Sequence, residues 1–66
     1  MKENQKLLNE KIIKGNHIQL LESKALITIH CYNKKKILLF TFHFNKGLQK
    51  YAFDTYDKLA EDLKKN

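Results

Sequence analysis

The sequence predicts a small two-layer α+β fold: a four-stranded antiparallel β-meander with an N-terminal and a C-terminal helix packed on one face. Three observations lead there. Two runs rich in β-branched and aromatic residues, Ala25 to Tyr32 and Ile37 to Phe44, flank a polar turn at Asn33 to Lys36, which is the pattern of a hairpin. With Tyr32 set opposite Ile37, side-chain alternation makes one face wholly apolar: Ala25, Ile27, Ile29, Cys31, Leu38, Phe40, Phe42 and Phe44. Both ends of the chain carry apolar residues at helical spacing, able to cover that face.

In chain order, Leu8 and Ile12 lie four apart with Leu7 beside them, and Gly15-Asn16 follows as a stop signal. This predicts a helix over residues 3–14. A rival reading makes Glu10 to Lys14 a strand turned by Gly15-Asn16, giving five strands plus a C-terminal helix. His17 to Glu22 reads as a strand joined by a Ser23-Lys24 turn, with Glu22 opposite Ala25, Leu20 opposite Ile27 and Ile18 opposite Ile29. Asn45-Lys46-Gly47 reads as the next turn. Leu48 to Phe53 then forms the last strand, with Tyr51 and Phe53 inward and Lys50 outward. The alternative there continues a helix back to Leu48. Asp54 or Thr55 serves as N-cap of a helix to Lys65, with Tyr56, Leu59, Ala60 and Leu63 inward.

The chain has 66 residues and a formal charge of +6, so one domain with a small core is expected. The lone Cys31 excludes an internal disulfide and suits a reducing compartment, the cytoplasm. No long apolar run announces a membrane span. All 13 basic residues are lysine. Without the arginine fork, sequence-specific DNA reading is disfavoured, while lysine binding to a phosphate backbone is not.

Functional expectation rests on the second sheet face. Leu26, Thr28, His30, Tyr32, Ile37, Leu39, Thr41 and His43 share it, joined by His17, Gln19 and Leu21. A half-apolar, uncovered face marks an interaction surface. The expected partner-binding residues are Leu21, Leu26, His30, Tyr32, Ile37, Leu39 and His43. The partner is a protein or a second copy, a homodimer, and the AT-rich composition also suits a phage- or plasmid-encoded inhibitor. The alternative is a nucleic-acid-binding module using Lys34, Lys35, Lys36, Lys46 and Lys50, with Tyr32 at the base of the lysine tip. His17 and His30, set side by side, fall short of the ligand number a metal needs. No cofactor, metal or catalytic set is expected, because no phosphate loop or nucleophile–base pattern is present.

Overall fold

The computed structural model describes residues 5–65. It contains strands β1 (Lys6–Ile13), β2 (Asn16–Glu22), β3 (Leu26–Tyr32) and β4 (Leu38–Asn45), a single 3-10 turn (Lys46–Leu48), and helix α1 (Gln49–Lys65). The strands form one antiparallel sheet in the order β1-β2-β3-β4. The helix lies across one face.

The meander is as expected in kind, but two of its members differ. The N-terminal segment is a strand where a helix was predicted; residues 3 and 4 of that helix lie outside the described residues. Lys14 (φ 53°) and Gly15 (φ 85°) form the turn, with Ile13 opposite Asn16. Two consecutive positive φ values define the hairpin turn whose twist matches that of the flanking strands. The pairing slips at Leu8, between Leu7/Leu21 and Asn9/Leu20. This bulge puts Leu8 against the core and disguises the strand's alternation.

The second difference is at Leu48 to Phe53, which belongs to the turn and the helix and forms no fifth strand. Tyr51 is 67% exposed and Phe53 37%, whereas Ala52 is fully buried. Asp54 and Thr55 therefore sit inside the helix rather than at its cap. The inward stripe is Ala52, Tyr56 and Ala60, with Leu59 and Leu63 partly buried beside it. The two alanines let the helix backbone approach the sheet closely.

The strand faces follow the predicted parity, but the partners differ. The predicted pairings of the core face are offset by two residues: Leu20 faces Ile29, Ile18 faces Cys31, Ile29 faces Phe42 and Ile27 faces Phe44. Turn chemistry sets the offset. Ser23 N–H donates to Leu26 O at 2.8 Å, so the loop residues are Lys24-Ala25. At the next turn, Asn33 Oδ1 accepts from the N–H groups of Lys35 and Ile37 at 2.8 and 3.0 Å. Lys36 takes φ 66°, the left-handed position that closes a three-residue hairpin loop. The register then slips again, so that Leu38 faces Tyr32 and Leu39 is the bulged residue. Leu38, predicted inward, is thereby removed from the core and is 47% exposed.

The core comprises Ile18, Leu20, Ile27, Ile29, Cys31, Ala52 and Tyr56, with Leu8, Phe40, Phe44, Leu59 and Leu63 packed around it. Tyr56 O–H donates to Ile18 O at 3.4 Å. Lys11, on the helix side of β1, holds its Nζ 5.7 Å from the Tyr56 ring centroid, within cation–π range. One helix is narrower than four strands, and Phe42 on the outer strand remains 42% exposed.

Candidate functional site

The face of the sheet opposite α1 carries a regular grid. Cross-strand pairing places Ile12, His17, Tyr32 and Leu38 in one row. Glu10, Gln19, His30 and Thr41 form the next, and Leu7, Leu21, Thr28 and His43 the third. Leu26 extends the face beyond that row, opposite Asn45. The first row is largely apolar, the middle row is polar, and the third sets Leu7 and Leu21 beside Thr28 and His43.

The histidines are placed one per strand along a diagonal. The two-residue offset separates His17 from His30, which were expected to face each other, and brings His43 closer to His30. Each imidazole is held. His17 Nε2 lies 2.7 Å from Glu10 Oε1, His30 Nδ1 lies 3.0 Å from Thr41 Oγ1, and His43 Nδ1 lies 3.1 Å from Thr28 Oγ1. The His30 and Tyr32 rings are 6.0 Å apart. Burial, followed by the like charge of His43, holds the His30 imidazole below its ordinary value. Thr28 is buried although it points away from the helix. It is the small residue of its row, flanked by Leu21 and by the His43 ring.

Of the predicted binding residues, Leu21, Leu26, His30 and Tyr32 are half-buried and His43 is exposed. Ile37 is 57% and Leu39 50% exposed; neither belongs to the three rows, because Ile37 lies in the turn before Leu38 and Leu39 is the bulged residue. Leu7, Ile12 and Leu38 join them, each more than two-fifths exposed. Reading β1 as a helix hid the first two, and the bulge at Leu39 hid the third. The turn residues Lys14-Gly15 were the available signal for Ile12.

The lysines are placed elsewhere. No lysine lies in any of the three rows, and Glu10 is the only residue there with a full formal charge. Lys6 and Lys11 pair with Glu22 and Ile18, on the helix side. Of the predicted nucleic-acid residues, Lys34, Lys35 and Lys36 stay together at the turn. Lys46 instead pairs with Glu22 at 3.2 Å, and Lys50 lines a separate hollow on α1 with Tyr51 and Asp54.

Hydroxyl–imidazole contacts such as Thr41–His30 are half of a nucleophile–base pair. Among the described residues neither His30 nor His43 has a carboxylate partner to orient it. No group of three His, Cys, Asp or Glu able to hold a metal comes together among them, and no helix there is long and apolar enough to cross a membrane. No protein-family model, curated protein or solved structure matches this chain.

Proposed function

We propose that the protein is a non-enzymatic protein-binding module whose occupant on the open sheet face is a second copy of itself. The observation that carries this reading is the exclusion of lysine from that face in a chain with 13 of them and a charge of +6. A strongly basic molecule repels its own copies over most of its surface. The three strand rows are the surface where two copies meet without opposing lysines, and where Ile12, Tyr32 and Leu38 on one side and Leu7 and Leu21 on the other flank the polar row that carries Glu10. Interfaces are depleted in charged residues at their centre, and the one formal charge of these rows, Glu10, lies on the edge strand β1.

Size supports the same reading. The molecule measures 33 × 27 × 16 Å. The outline of its broad face is of the same order as the roughly 800 Å² per partner of a standard stable interface. The buried core of the single chain is small, and covering the other side of β2 and β3 would bury a second layer. A phosphate backbone, by contrast, finds no cation within the three rows; Lys34 and Lys36 stand at the turn that borders them.

Sedimentation equilibrium tests the proposal. The wild type should run as a dimer, and Leu7→Lys with Leu38→Lys, at opposite corners of the face, should run as a monomer. Both side chains are about half exposed in the single chain, so the circular dichroism of the variant should stay native. A wild type that remains monomeric at every accessible concentration overturns the reading.

A further inference from the structure

At the end of the open face, two lysine-bearing turns touch. A Cβ placed on Gly15 would lie 3.3 Å from the Cβ of Lys34, so the β1–β2 turn is packed against the β3–β4 turn. Between and beneath them is a cleft of about 440 Å³, lined by Ile12, Gly15, His17, Gln19, Tyr32, Asn33, Lys34 and Lys36. That volume falls within the range of small-ligand sites, roughly 300–1,000 Å³.

The lining is divided by chemistry. Tyr32 and Ile12 give apolar surface on either side of His17, their neighbour in the same row. Gln19, one row further in, offers both an amide donor and an amide acceptor. At the mouth stand Lys34 and Lys36, neither of which has an ion pair among the described residues. Lys35 and Lys14 add charge on the same two turns, and the row of Gln19 contributes one carboxylate, Glu10, already at 2.7 Å from His17. The Asn33 side chain braces the turn by accepting two backbone N–H groups, so the two cations project from a fixed loop.

We infer that this cleft is a binding site for a nucleoside phosphate: the base lies against Tyr32 with its edge toward Gln19, and the phosphate sits between Lys34 and Lys36. An aromatic surface for stacking beside a lysine pair for the phosphate is the pairing by which flat-ringed anions and single-stranded nucleic acids are held. Lysine suits this as a point charge that does not depend on the bidentate geometry of arginine. Every residue of the site comes from one chain, but Ile12, His17, Gln19 and Tyr32 also belong to the face proposed for self-association, so nucleotide and second copy compete for that end of the face.

The test is an amide NMR titration of the whole protein with adenosine 5′-monophosphate, adenosine and inorganic phosphate at near-physiological salt. The nucleotide should give saturable shifts confined to Gly15, His17, Gln19 and Tyr32 to Lys36. Adenosine and phosphate should each bind about tenfold more weakly or worse, as expected when stacking and charge both contribute. Lys34→Ser with Lys36→Ser, and separately Tyr32→Leu, should each cost about tenfold, while Lys58→Ser on the helix changes nothing. A short oligoadenylate distinguishes the source. Binding much tighter than the mononucleotide assigns the site to a single strand, and equal or weaker binding assigns it to the free nucleotide. Shifts spread over all lysines, or phosphate binding as well as the nucleotide, overturn the inference. The same titration on the Leu7→Lys, Leu38→Lys variant, whose substitutions lie outside the cleft lining, reads the cleft free of a second copy, so the two readings stand or fall separately.

Discussion

The two glycines show how much one φ angle decides. Gly15 combines φ 85° with close approach of the Lys34 side chain, whereas a Cβ on Gly47 would meet nothing within 4 Å. An L-residue in the left-handed region costs on the order of 1–2 kcal/mol. Gly15→Ala should therefore lower stability by about that much in urea unfolding, while Gly47→Ala should be neutral or slightly stabilising, since it restricts the unfolded chain. Equal effects would remove the argument that the β1–β2 turn depends on its backbone conformation. His30 makes a second prediction at this scale. Its proton affinity in the folded chain lies below the ordinary value of 6.5 because of burial and then His43. The unfolded chain therefore binds the proton more readily. The contribution of His30 to stability is fully present above the unfolded value and is lost as pH falls below it. The melting temperature should drop between pH 7.5 and 5.5, and His30→Gln should flatten that drop. An unchanged slope in the variant would show that the acid sensitivity arises elsewhere.

At the scale of elements, the chain's own pattern explains what was legible. The apolar face of β3 and β4 could be read because alternation over Ala25 to Tyr32 and Phe40 to Phe44 is strong, and burial of Ile27, Ile29 and Cys31 follows it. The offset of two residues could not be read from that pattern, because shifting by two preserves both faces. It depends on the Asn33 side chain and on Lys36 tolerating positive φ. β1 was hidden because its helix-side positions include Asn9 and Lys11, and because a bulge interrupts the repeat. The start of α1 was hidden for a different reason: its bulky Tyr51 and Phe53 mimic a strand, while the residue that points inward is the small Ala52. Ala52 and Ala60, at most 1% exposed, set the distance between helix and sheet. Ala52→Leu should push the helix away, with a cost of about 1–3 kcal/mol, whereas Tyr51→Leu on the exposed side should cost little. Thermal unfolding of the pair checks this; similar costs would mean that the helix is not seated on its alanines.

At the scale of the whole molecule, the question is which way a second copy attaches, because the sheet offers two surfaces. Besides the open face there is the outer edge of β4, which carries no charged residue from Leu38 to Asn45 and keeps Phe42 half exposed. Uncharged, β-prone edges invite strand pairing. β1, the other edge, carries Lys6, Glu10, Lys11 and a bulge, which protect it from that outcome. The two modes leave different traces in hydrogen exchange. Face-to-face packing covers side chains and leaves the outward amides of β4 open to solvent. Edge pairing engages every second amide of β4 in a new ladder. For the face-to-face dimer proposed here, the slowest amides should be those of β2 and β3, which are paired on both sides and lie under α1. β4 should show an alternating pattern, with every second amide exchanging early at any protein concentration. Phe42→Lys should then leave the dimer intact, and Leu7→Lys with Leu38→Lys should dissolve it. Concentration-dependent protection of alternate β4 amides, together with loss of the dimer in Phe42→Lys, would instead place the partner on the edge. The apolar corners of the open face would then be surface without a partner.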